Sequence, residues 1–192
     1  HVANAGIPSC LFDISQELAE KGVEILTTLK PAPLYKPKNA SLIEACNYDE
    51  HLDKVKDADW IVEAVAENLD IKHKVYNNIA DYIKNTAIIS SNTSGIPLGD
   101  LTQVMSDDVK RRFLITHFFN PPRYMRLLEL VKGPDTSDDI YNDMAIFGEN
   151  VLGKGIVHAK DTPNFIGNRI GVHGGNNAIK LAIKMGLTCE EV

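Results

Sequence analysis

The sequence has no apolar run near the ~20 residues a membrane-spanning helix needs, no internal repeat and no low-complexity tract. No signal peptide precedes its first strand-like run. Its three cysteines, Cys10, Cys46 and Cys189, form neither a CxxC pair nor any metal-ligand spacing. An odd, unspaced set of this kind points to a reduced, cytoplasmic setting and to no metal site. Without a secretory signal, Asn39-Ala40-Ser41 and Asn92-Thr93-Ser94 read as chance matches to the glycosylation pattern. Positive charge is also in deficit: the net charge is −6 with signs interspersed, which excludes nucleic acid as the main partner. An anionic ligand is still allowed, because local lysines and helix N-termini hold phosphates on acidic proteins. What remains is ordinary. With 192 residues, 44% hydrophobic and 24% charged, the chain has the length for one domain, or one and a piece, of a soluble globular protein.

Strand-like and helix-like runs alternate along it. Ser9–Ile14 reads as a buried strand after a stop at Gly6, and residues 15–30 as a helix whose apolar spacing is interrupted by Gly22. A proline-rich loop with Lys30, Lys36 and Lys38 follows; a solvated loop and a phosphate contact are both open readings. Residues 41–46 make a weak strand and 48–56 a short charged helix. Asp59–Val65 is a buried strand leading into a long helix, with Ile71, Val75, Ile79 and Ile83 forming one apolar stripe. Further strands are expected at 87–90, 113–116, 127–131 and 156–159. A helical segment lies around 98–105 and another helix over 137–152, with Ser137 as N-cap. A last helix opens at Pro163, and its Gly171, Gly174 and Gly175 imply close packing, a kink or weak order. This alternation predicts an α/β architecture with a mostly parallel sheet.

One further absence bears on function. Asp13 ends the first strand, where a dinucleotide fold places the acid that accepts hydrogen bonds from the ribose hydroxyls of NAD. The glycine-rich phosphate loop of such folds comes about 20 residues earlier, and no GxGxxG occurs in the twelve residues before Asp13. A surface-loop aspartate is the competing reading. Glu67 and Asn68 sit at the next strand-to-helix turn, placed for ligand contact or simply to begin the helix.

Residues 86–131 hold the densest chemistry. Ser90-Ser91-Asn92-Thr93-Ser94-Gly95 closes one strand and His117-Phe118-Phe119-Asn120-Pro121-Pro122 the next, and Glu129 sits within a third. His117 can take a hydroxyl proton as a hydride leaves the adjoining carbon. Glu129 can hold its other ring nitrogen if the Pro121-Pro122 turn folds the third strand back beside the histidine strand. Asn120 and Ser94 can then hydrogen-bond a substrate oxygen. A buried structural His–Glu pair with a capping serine is the alternative.

SSNTSGIP, THFFNPPRYMRLLELV and AKDTPNFIGNRIG, in this order and at these intervals, resemble the L-3-hydroxyacyl-CoA dehydrogenase family. The likeness is greatest to long bacterial forms fused to an enoyl-CoA hydratase-like region. DWIVEAVAENLDIK and NAGIPSCLFDI match its cofactor domain as well. The resemblance implies a Rossmann-type, mostly parallel sheet that here lacks its first strand. It would span residues 1–160 as an NAD-binding domain, with 161–192 beginning an all-helical C-terminal domain for dimerisation and substrate. It implies His117 as catalytic base, Glu129 as its partner, and Ser94 and Asn168 as substrate-positioning groups. Asp13, Glu67, Lys72, Asn92 and Asn120 would line the NAD cleft. The implied reaction is NAD-dependent oxidation of a 3-hydroxyacyl-CoA to the 3-oxoacyl-CoA in fatty-acid β-oxidation, by a homodimer in the full-length protein. Neither the family's glycine-rich loop nor most of its helical domain is among these residues, and residues 15–32 are shorter than their counterpart. Two alternatives therefore stay open: a same-fold dehydrogenase of a free hydroxy acid, and a non-catalytic binding module.

Overall fold

A computed structural model of the protein describes residues 1–191, the Cys189 side chain apart. In chain order the strands and helices are β1 (Ser9–Asp13), α1 (Gln16–Thr28), β2 (Ile43–Asn47), β3 (Trp60–Glu63), α2 (Leu69–Ile79) and β4 (Ile88–Ser91). Two short helices follow, α3 (Leu98–Leu101) and α4 (Asp107–Arg111), then β5 (Phe113–Phe118), β6 (Leu127–Lys132), α5 (Asp138–Asn150), β7 (Gly155–Ala159) and α6 (Gly167–Met185).

The middle of the fold is β5. Phe113, Leu114, Ile115 and Thr116 are all fully buried, as a strand covered on both faces must be. Side chains alternate across a strand, so Phe113 and Ile115 join a core with Tyr76, Ile89, Leu101 and Val131 on one face. Leu114 packs with Leu128, Leu130, Tyr141 and Met144 on the other. Continuing the alternation puts His117 on the Phe113/Ile115 face.

Strands β3, β4 and β5 run parallel, β6 returns antiparallel to β5, and β7 is parallel to β6. This five-stranded sheet in the order β3-β4-β5-β6-β7 is separate from the parallel pair β1-β2. The expected Rossmann-like, mostly parallel sheet thus forms in two parts. In the Rossmann strand order another strand stands between those corresponding to β1 and β3, and where the chain supplies none the ladder is interrupted. Arg123 ties the parts together: its Nη1 donates to the carbonyls of Ala32 (2.6 Å) and Leu34 (2.7 Å) in the proline-rich loop.

Several local expectations change. On α2 the inward positions belong to Lys72, Tyr76 and Ile79, and Ile71 is exposed. The charged segment 48–56 becomes a 3-10 helix at Leu52–Asp57. Ser137 stands at the N-cap of α5 but makes no side-chain cap hydrogen bond. Pro163 lies in a turn before α6 rather than in its first turn. The helix runs unbroken through Gly171, Gly174 and Gly175, and a Cβ there would meet nothing within 4 Å, so close packing does not explain them. Gly22 does reflect close packing, since its Cβ would stand 3.0 Å from Leu11 Cδ2. No helix among the described residues is long and apolar enough to cross a membrane.

Candidate active site

The turn through Pro121-Pro122 folds β6 back along β5 and sets Glu129 directly opposite His117 in the antiparallel register. His117 Nδ1 lies 2.7 Å from Glu129 Oε2, with both side chains buried. With Nδ1–H donating to the carboxylate, Nε2 is left as the acceptor. That nitrogen is 3.2 Å from Ser94 Oγ. Phe119, its ring centroid 4.6 Å away, and Phe165 at 5.6 Å wall the imidazole with apolar surface.

Glu129 is fixed from its other side as well. Its Oε1 accepts from the backbone amides of Ile166 (3.0 Å) and Gly167 (2.7 Å). These amides are aimed by a turn in which Asn164 and Phe165 both take positive φ, 63° and 43°, a conformation that L side chains adopt at a cost and that clusters at functional sites. The turn is anchored by Asp161, whose two carboxylate oxygens each accept from the Leu98 amide at 3.1 Å. Gly167 packs tightly here: a Cβ would stand 2.7 Å from Phe119 Cζ, so any side chain would force the ring to shift.

The loop after β4 is shaped by Glu67. Its Oε1 accepts from Thr93 Oγ1 (2.5 Å), the Ser94 amide (2.9 Å) and the Gly95 amide (3.1 Å), and its Oε2 lies 3.3 Å from Lys72 Nζ. Burial alone would raise this carboxyl, but the Thr93 hydroxyl, the Ser94 amide and the Lys72 charge outweigh it and hold the pKa below the ordinary value. Lys72 is 1% exposed, so it stands behind Glu67 rather than on an open surface. Below it is a group the sequence reading missed, the buried carboxylate of Glu63. This accepts from Lys72 Nζ (2.8 Å), the Val65 amide (2.7 Å), Tyr76 Oη (2.9 Å) and Ser91 Oγ (2.6 Å). Four donors satisfy a charge that would otherwise be costly to bury. An acid in the apolar run WIVEAV was the available signal, since such a strand has no solvent-facing use for it.

The remaining candidates are spread along the same edge. Asp13 is half-buried at the end of β1, with Oδ1 accepting from the Ile14 amide at 2.7 Å. Asn92 uses its side-chain oxygen to accept from the Phe118 amide (2.9 Å), locking the ends of β4 and β5 together. Asn120 is exposed beside the His117 strand, at a cis peptide to Pro121. Asn168 follows Gly167 in the first turn of α6, one residue beyond the amide that holds Glu129. His117, Glu129 and Ser94 therefore make one hydrogen-bonded unit, with Asn168 next to it in the chain. Lys30, Lys36 and Lys38 are exposed and form no ion pair among the described residues.

Residues 1–162 match the family model of the 3-hydroxyacyl-CoA dehydrogenase NAD binding domain. The chain belongs to this family. It is 44% identical to a probable 3-hydroxyacyl-CoA dehydrogenase of Bacillus subtilis, over all of the chain and 27% of that protein. It is also 44% identical to a protein of the same description from Deinococcus radiodurans, over all of the chain and 57% of that protein. Among solved structures it superposes on the (S)-3-hydroxybutyryl-CoA dehydrogenase PaaH1 of Ralstonia eutropha with a TM-score of 0.81 and 30% identity, covering 99% of this chain and 68% of the other. The chain thus spans about a quarter of one of these curated relatives and just over half of the other. As a member of this family, the chain carries an NAD-binding domain over residues 1–162.

Proposed function

We propose that this chain is the NAD-binding and proton-transfer part of a 3-hydroxyacyl-CoA dehydrogenase acting in fatty-acid β-oxidation, with residues 1–160 as the cofactor domain and 161–192 opening a helical domain. One observation carries the reading: a buried imidazole with one nitrogen held by a buried carboxylate and the other turned to the hydroxyl of the exposed Ser94. Glu129 sets the tautomer that leaves Nε2 an acceptor, and its partner Ser94 is an exposed residue of the loop after β4, where a substrate hydroxyl can take the place of the serine's.

The residues fit a dinucleotide. Asp13 spends one oxygen on the Ile14 amide and keeps Oδ2 for ribose hydroxyls. Glu67 is kept ionised and has an exposed side, and with Lys72 behind it, it would line the nicotinamide side of the cleft, joined by Asn92 and Asn120 from the segments that end β4 and β5. When bound, NAD supplies the hydride acceptor. His117 Nε2 takes the C3 hydroxyl proton as the C3–H bond breaks, and Glu129 faces the imidazolium that forms. Ser94 and Asn168 orient the hydroxyl, and Phe119 and Phe165 keep water from the imidazole. In the reverse direction His117 returns the proton to the carbonyl oxygen.

Homodimerisation belongs to the same reading. Along α6, Ile170, Val172, Ile179, Leu181, Ile183 and Met185 are all exposed, an apolar load suited to packing within a longer helical domain and its dimer.

The test is substrate choice. With NADH, the full-length protein should reduce acetoacetyl-CoA with a kcat/KM at least a hundredfold above that for free acetoacetate. Equal rates would favour a hydroxy-acid dehydrogenase, and NADH binding without turnover of either would favour a binding module.

A further inference from the structure

Cysteines 36 residues apart in the sequence meet on the two-stranded sheet. Cys10 lies on β1 and Cys46 on β2, both on the face opposite Leu11 and α1. Their sulfurs and a carboxylate oxygen of Glu44 all lie within 4.8 Å of one another. Cys46 is fully buried, whereas Cys10 and Glu44 open to solvent. From these three side chains we propose a binding site for a thiophilic divalent cation of the zinc and cadmium class.

Register decides between a metal and a disulfide. Cys10 pairs with Glu44 and Cys46 pairs with Phe12, so the cysteines are diagonal, two residues out of step. With parallel strands about 4.8 Å apart and a rise of about 3.3 Å per residue, that diagonal is roughly 8 Å between Cα atoms, beyond the ~7 Å a disulfide spans. A tetrahedral cation with metal–sulfur bonds of about 2.3 Å needs its two sulfurs only about 4 Å apart and leaves the backbone in place. Glu44 supplies a third ligand and solvent a fourth, the open coordination such cations accept.

The charges close. Cation entry displaces two thiol protons to solvent, leaving two thiolates and one carboxylate around a doubly charged ion. Lys54 Nζ, 2.8 and 2.9 Å from the two oxygens of Glu44, offsets the remaining negative charge. Sulfur ligands select against magnesium and calcium. The bound ion would cross-link β1 to β2, a two-stranded unit of a kind that is marginal by itself.

Titration of the reduced protein with cadmium chloride tests this, read by the ultraviolet thiolate-to-cadmium charge-transfer band and by Tm. One cadmium per chain is expected at micromolar concentrations, with a raised Tm, unaffected by excess magnesium. Cys10→Ser, at an exposed position that leaves the fold intact, should abolish both signals; Cys189→Ser should retain them. Glu44→Gln should weaken binding at least tenfold. Zinc should compete for the same site. No band on the folded protein, or a band that survives in Cys10→Ser, overturns the site.

Discussion

Glu129 and His117 face each other as a directly opposed pair of the β5–β6 ladder, 2.7 Å apart and closed off from solvent. Their relationship is set by backbone register, so it forms as the strands pair and needs no induced fit. Because Glu129 also accepts two amides of the 161–167 turn, one carboxylate joins the histidine strand to α6. Glu129→Gln keeps the shape but offers an amide in place of the charge facing the imidazolium. It should lower kcat by about a hundredfold or more, with KM for the acyl-CoA little changed. Steady-state kinetics of acetoacetyl-CoA reduction check this.

Lys72 and Glu63 are both 1% exposed in their side chains and 2.8 Å apart. Removing one member of such a pair strands the other's charge in the core. Lys72→Met should destabilise the protein by about 3–5 kcal/mol, read as a lowered urea midpoint. Glu63 would keep only Tyr76, Ser91 and the Val65 amide.

Gly167→Ala drives a methyl against the Phe119 ring, which itself packs on His117. A cost of about 1–3 kcal/mol is expected for this overpacking. Because the ring that must move walls the imidazole, kcat should fall together with Tm. Gly171→Ala, with nothing within 4 Å of its Cβ, is the control and should leave kcat unchanged.

Glu67 gives the protein an acid-sensitive element. Its carboxyl titrates below the ordinary 4.5 in the folded state, so its contribution is complete above about that pH and is lost as pH falls through the lower folded value. Tm measured from pH 6 down to pH 3 should drop more steeply for the wild type than for Glu67→Gln, and the two curves should converge in acid. A constant gap between them would contradict the assignment.

Much of the site was legible because strand alternation and a proline turn are local signals. The polar clusters closing β4 and β5 and the carboxylate in β6 have positions fixed by periodicity, and β6 does fold back onto β5. Lys72 was not legible as a core residue. A periodicity reading sorts side chains by polarity and so gave the inward face of α2 to Ile71, whereas the buried Glu63 draws Lys72 inward and turns Ile71 out. The positive φ at Phe165 was also invisible, since a bulky aromatic does not announce it, whereas Asn164 is of a type that enters the left-handed region readily. Cys10 and Cys46 gave no local spacing at all; only the pairing of β1 with β2 brings them together.

The central claim is that His117 moves the proton. Acetoacetyl-CoA reduction by NADH in the full-length protein, wild type against His117→Gln, tests it most directly, with NADH affinity measured alongside. The account predicts that kcat falls by about 10²–10⁴, with NADH binding within a few-fold of wild type. A variant that keeps wild-type kcat would contradict it.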